Sequence, residues 1–189
     1  IEWFKKNKIT EVECLIPDNS GIPRGKILPT KKFLSSFESG GLRLPLHLFK
    51  LAVSRSVSYS IDDQLLNPTD GDFILKPDFN TLRVVPWYEE PTAQIICDAV
   101  DSKENEIEVY SRGILKRVIS LFNNIGLEPI IAPEIEFYLV KKNNDPDYPL
   151  ETPSGQSGRI EKGNQSYGID AINEFDHIFE DLYDYCEAQ

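Results

Sequence analysis

EVECLIPDNSGIPRGKIL, Glu11 to Leu28, is the stretch whose reading decides how the first half of this chain folds. Glu11–Ile16 and Gly21–Leu28 look like two strands, and the segment between them carries Pro17, Asp18, Asn19 and Gly21, residues that favour chain reversal. The simplest reading is a hairpin. On its N-terminal side, residues 1–8 read as a short helix. On its C-terminal side, TKKFLSSFESGG places Phe33, Leu34 and Phe37 at helical spacing, with Thr30 as N-cap and Gly40 as the stop. Further strand-like pieces follow: LAVSRSVSYSI, DFILKP, TLRVVPW and AQIICDAV, separated by Asp, Asn, Pro and Gly. Hairpin, helix, then more strands point to an α+β sheet domain over residues 1–101.

The polar DSKENE, Asp101 to Glu106, marks the boundary, because the pattern beyond it turns helical and opens a second region over 106–189. SRGILKRVISLFNNIG reads as a helix capped by Ser111, lined on one face by Ile114, Val118, Leu121 and Ile125, and ended by Gly126. It leads into IIAPEIEFYLV, Ile130 to Val140. As a strand, this segment turns Ile131, Pro133, Ile135, Phe137 and Leu139 to one face and sets Glu134 and Glu136 side by side on the other. Residues 141–166 form a polar, Gly- and Pro-bearing stretch longer than an ordinary connection. DAINEFDHIFEDLYDYCEAQ then reads as a helix capped by Asp170, with Ile172, Phe175, Phe179, Leu182 and Cys186 on its apolar face.

The chain has 189 residues and a formal charge of −11, which opposes nucleic acid and anionic membranes as partners and suits cationic ligands or metal ions. No run approaches the roughly 18 apolar residues of a membrane span, and the first ten residues lack a signal-peptide core. A cytoplasmic location is the expectation. Cys14, Cys97 and Cys186 are odd in number and widely spaced, so they read as buried small hydrophobes rather than a disulfide or zinc set. His47 and His177 are isolated and read as ordinary residues. The RGK at Arg24–Lys26 is a weak anion-binding signal that a hairpin also carries for solubility.

Periodicity leaves two readings of Glu134 and Glu136. The plain one is a half-exposed strand whose outer face carries charge. The other starts from spacing: carboxylates at i and i+2 lie about 6.5–7 Å apart at Cα and repel unless a cation compensates. Magnesium or manganese, hard cations that prefer carboxylate oxygen, would be that compensator.

Three motifs carry a resemblance. PDNSGIPRGKILP, DGDFILKPDFNTLRVVPW and APEIEFYLV resemble, in order and spacing, the hairpin, the D-x-x-L-x-P-D-x-x-T segment and the P-E-x-E-F strand of the glutamine synthetase family. APEIEFYLV, DPDYPLETP and SYGIDAINEFD look closest to the γ-glutamylputrescine synthetase-like branch. The resemblance implies a β-grasp N-terminal domain followed by the start of the catalytic domain. It implies Mg2+ or Mn2+ on Glu134 and Glu136, ATP as co-substrate, and transfer of its γ-phosphoryl group to glutamate before an amine attacks. Tyr167 falls where the family has an aromatic near the substrate pocket, and a structural tyrosine is the equal alternative. A homo-oligomeric ring is implied for the full-length enzyme.

Departures accompany the resemblance. The family's other metal ligands and its substrate-binding arginines belong to sequence beyond the last helix, so the chain reads as a fragment, inactive alone. Where ammonia-using members carry a D-G-S-S stretch, this chain reads SVSYSI, Ser56 to Ile61, which lacks the aspartate and points to an organic amine, in particular a polyamine, as acceptor. Asp62 and Asp63 lie close enough to replace it. A true glutamine synthetase using ammonia, and a noncatalytic β-grasp interaction module, remain the other readings.

Overall fold

In the computed structural model, which describes residues 1–51, 71–145, 147–160 and 165–189, the hairpin forms where the sequence places it. Strands β1 (Glu11–Pro17) and β2 (Pro23–Pro29) pair antiparallel from Glu11↔Pro29 to Pro17↔Pro23. The turn is held by Asp18, which is fully buried. Its carboxylate accepts from the Ser20 amide at 2.8 Å, the Ile22 amide at 2.9 Å and Arg24 Nε at 2.9 Å. Burial alone would raise the Asp18 pKa; the Arg24 side chain and the two amides outweigh it and hold the carboxyl below its ordinary value. Gly21 supplies the left-handed step of the turn, at φ 77°.

Helix α1 (Glu2–Lys6) precedes the hairpin, and helix α2 (Thr30–Ser36) and strand β3 (Leu42–Pro45) follow it. Next come β4 (Asp72–Pro77), β5 (Arg83–Val84), β6 (Thr92–Val100) and helix α3 (Ser111–Asn124). The sheet runs β2-β1-β6-β4-β3, with β5 against the start of β6. β1 and β6 are parallel, from Glu11↔Thr92 to Leu15↔Ile96, and the other pairs are antiparallel. A parallel pair needs a long crossover rather than a tight turn, and the intervening strands and α2 provide it. Strand alternation sends Val12, Cys14 and Ile16 of β1 and Ala93, Ile95, Cys97 and Ala99 of β6 to one face. There they meet Phe4, Phe33 of α2, Phe49, Phe73 and Tyr110 in a single core.

Several local expectations change in the fold. Thr30 is the first helical residue of α2 rather than its cap, and its hydroxyl donates to the Ile9 carbonyl at 2.8 Å, tying the helix to the lead-in of β1. Ser111 likewise begins α3 without capping it. What seats that helix is charge on its first two turns: Arg112 binds Asp98 of β6 at 3.0 Å and also Asp78, and Lys116 binds Asp98. Its C-terminus closes as expected at Gly126, φ 76°, with the Gly126 amide on Asn123 and the Leu127 amide on Phe122. TLRVVPW shortens to two strand residues, because Phe79–Thr81 closes into a 3-10 turn capped by Asp78, and Pro86 has no amide to donate. The strand expected over Leu51–Ile61 lies, apart from Leu51, outside the described residues. Asp101–Glu106 is a tight turn in which Asp101 accepts from the Lys103 and Asn105 amides, and the compact unit continues through α3 to Pro129.

Ile130–Gln189 form a second unit. The predicted C-terminal helix is broken into α4 (Ile169–Asn173) and α5 (Asp176–Ala188). Gly168, not Asp170, precedes the first turn. The break falls at Glu174, whose carbonyl takes the Gln156 amide at 3.0 Å and whose carboxylate takes the Ser157 amide at 2.8 Å. Those bonds to the preceding loop compete with the helical ladder. Of the expected apolar face, Phe175 is buried, while Ile172 and Leu182 remain exposed. Cys186 is exposed too, so burial holds for Cys14 and Cys97 only. Among the described residues no helix is long and apolar enough to cross a membrane.

Candidate functional site

The segment that carries Glu134 and Glu136 is not a strand. Residues 130–140 have no regular secondary structure, and Ile130 at 95% and Ile135 at 84% exposure have no apolar partner to cover them. The reason is the absence of a neighbour: a pleat that lines up residues i and i+2 persists only where adjacent strands take its amides and carbonyls, and a lone strand is unstable in water. Among the described residues the second unit offers none.

Both glutamates are exposed, and neither forms a hydrogen bond or ion pair with a described residue. Their oxygens are therefore unclaimed hard donors, the chemistry a divalent cation takes. Two carboxylates fall short of the six ligands such a cation prefers, and among the described residues no group of three His, Cys, Asp or Glu is placed to hold a metal. Tyr167 stands in a turn at φ 59°, fully exposed, and the structure does not bring it to the two glutamates by any hydrogen bond. His177 approaches Gln156 at 3.5 Å through Nδ1, and His47 sits in a 3-10 turn over Leu46–Lys50.

A polar arrangement that the periodicity did not single out lies on the sheet face opposite the core. Glu13 of β1 is buried, although it alternates outward with Glu11 and Leu15. Tyr88 Oη donates to its Oε1 at 3.0 Å and Gln94 Nε2 to its Oε2 at 2.9 Å. Its burial depends on a loop 75 residues away in sequence, which no local pattern announces.

A family model described as the glutamine synthetase catalytic domain matches residues 108–189, a range that includes Glu134, Glu136 and Tyr167. A glutamine synthetase of Methanocaldococcus jannaschii is 32% identical over 152 residues, covering 79% of this chain and 32% of that protein. The gamma-glutamylputrescine synthetase PuuA of Escherichia coli is 26% identical over 182 residues, covering 94% of this chain and 37% of its own length. A glutamate–isopropylamine ligase of a Pseudomonas species is 27% identical, covering 74% and 30%. This chain thus spans about a third of the length of these curated relatives. A solved structure described as a novel glutamine synthase homolog matches in fold with a TM-score of 0.52 at 18% identity, over 62% of this chain and 27% of that one.

Proposed function

We propose that this chain, which belongs to the glutamine synthetase family, supplies the N-terminal sheet domain and the opening of the catalytic domain of an ATP-dependent ligase joining glutamate to an amine. The observation that carries the reading is the pair of unclaimed carboxylates, Glu134 and Glu136, inside the segment matched by the catalytic-domain model. We read the sheet, with its first and last strands parallel at the centre, as the β-grasp domain that the family resemblance implies.

In this reading Glu134 and Glu136 give two oxygen ligands to magnesium or manganese, and the remaining ligands come from outside the described residues. A divalent ion bound there would neutralise phosphate and carboxylate charge so that two anions can approach. Tyr167 borders the substrate pocket. The whole protein takes ATP and glutamate as substrates and works as a homo-oligomer.

The acceptor we favour is an organic amine. Two relatives are named for isopropylamine and putrescine chemistry, and Ser56–Ile61, which lie outside the described residues, lack the aspartate that the resemblance ties to ammonia. Relatives named glutamine synthetase favour ammonia as the second reading. The test measures kcat/KM of the whole protein for putrescine, isopropylamine and ammonium, together with Glu134→Gln and Glu136→Gln. Each substitution is expected to lower kcat by about 100-fold or more, since even outer-shell partners of a metal are worth 10–100-fold, with thermal unfolding unchanged. Ammonium as the best acceptor would replace the organic amine, and unchanged kcat in both variants would remove the metal role.

A further inference from the structure

The outer face of the sheet carries a buried carboxylate without a counter-ion. Glu13 is 8% exposed, and its two hydrogen-bond donors, a phenol and a carboxamide, are both neutral. No Lys, Arg or His among the described residues forms an ion pair with it. Removing a carboxylate from water costs several kcal/mol in a low-dielectric site, and neutral donors recover only part of that cost. Each carboxylate oxygen has spent one lone-pair direction and keeps another. Glu13 lines an open cleft of about 420 Å³, so the second set of lone pairs is within reach of a ligand.

The cleft also has an apolar extension. Leu15 and Pro23 line it and equally line an adjoining apolar hollow of about 400 Å³, whose other walls include Ile96 of β6 and Leu115 of α3. A carboxylate at one end and aliphatic walls beyond it match a short alkyl chain with a cationic head. Two cationic side chains line the same cleft: Arg24, which has Asp18 as its counter-ion at 2.9 Å and a buried Nη2 without a hydrogen-bond partner among the described residues, and Lys26, which is exposed. A bare divalent ion fits poorly, because one carboxylate, one phenol and one carboxamide make a weak donor set for a hard cation.

We propose that this cleft is a binding site for a primary alkylammonium ion, with the ammonium on Glu13, the ring of Tyr88 beside it, and the alkyl chain over Leu15 and Pro23. The ammonium brings three N–H donors for the open lone pairs, and an aromatic flank favours the cation further. The proposal is independent of the catalytic reading, because every residue it uses belongs to the first unit and Glu134 and Glu136 to the second.

The test is an NMR titration of this 189-residue chain with butylammonium chloride, using sodium chloride at matched ionic strength as control. Saturable shifts at Tyr88, at Gln94 and at Ile27, which also lines the cleft, are expected with butylammonium only. Glu13→Gln should weaken the apparent affinity about tenfold or more, the loss for a charge-assisted hydrogen bond to one partner. Tyr88→Phe should retain saturable binding, because the carboxylate remains. Absence of saturable shifts in the native chain, equal shifts with sodium, or unchanged affinity in Glu13→Gln would each overturn the proposal. Shifts that grow with protein concentration and without amine would assign the cleft to a lysine of a second copy, and would also overturn it.

Discussion

The sheet core of the first unit and the segment Ile130–Val140 of the second spend their apolar residues differently, while the face of α3 formed by Ile114, Val118, Leu121 and Ile125 stays exposed within the first unit. In Ile1–Pro129 the phenylalanines at 4, 33, 49 and 73 are buried to 5% exposure or less, because six strands give one another edges and one continuous face. In Ile130–Gln189 the equally apolar Ile130, Ile135, Phe137 and Tyr138 are all exposed by more than half. Hydrophobicity does not separate the two regions; the availability of partners does. A segment such as Ile130–Val140 has the composition of a core strand and becomes one only when other strands take up its backbone groups.

Core truncation tests this contrast most directly. Phe33→Ala should destabilise the chain by about 3–5 kcal/mol, the range for emptying a packed aromatic site, because Phe33 is fully buried and its ring meets Phe4 and Phe37. Phe137→Ala, at 55% exposure in the second unit, should stay within about 0.5 kcal/mol. Urea unfolding of both variants makes the comparison. A Phe137 effect as large as that of Phe33 would break it.

A smaller effect belongs to the hairpin turn. Asp18→Asn keeps the shape and removes the charge, and should cost about 1.5–3 kcal/mol near neutral pH, the value of hydrogen bonds to a charged group. The pH dependence has a defined sign. Because the folded pKa of Asp18 is lowered, its contribution is present above the unfolded value of about 3.9 and is lost as pH falls through the folded value. Stability measured from pH 7 down to 2 should therefore decline less steeply in Asp18→Asn than in the native chain. Parallel declines would show that the turn does not depend on this charge.

The smallest of the three expected effects lies at the start of α3. An added Cβ at Gly113 would stand 2.4 Å from Cε1 of the buried Tyr110 ring. Gly113→Ala should cost about 1–3 kcal/mol in overpacking, offset by about 1 kcal/mol of helix propensity. A net stabilisation in thermal unfolding would mean that the ring gives way, and that α3 is held by Arg112 and Lys116 on Asp98 rather than by the fit of Tyr110.

Elements with strong local signals were legible in the amino-acid sequence. The hairpin at Glu11–Leu28, the strands DFILKP and AQIICDAV, and the Gly126 stop of α3 all carry period-two alternation or a residue that only one backbone conformation favours, and they appear where the sequence puts them. The caps at Thr30, Ser111 and Asp170 were not legible, because each was displaced by a hydrogen bond, ion pair or preceding residue that local propensity cannot weigh. The uninterrupted C-terminal helix failed for the same reason, since the amides that compete at Glu174 come from residues 156 and 157.

Function divides along the same line. The carboxylate pair Glu134 and Glu136 and its place in a family motif are properties of the sequence alone, because covalent order fixes their separation along the chain, whereas their shared face depends on a pleat that residues 130–140 do not form. The burial of Glu13 beneath Tyr88 and the seating of α3 on Asp98 come only from tertiary structure. Desolvation and ion pairing depend on which distant residues arrive at a position, and no window of neighbouring residues records that arrival.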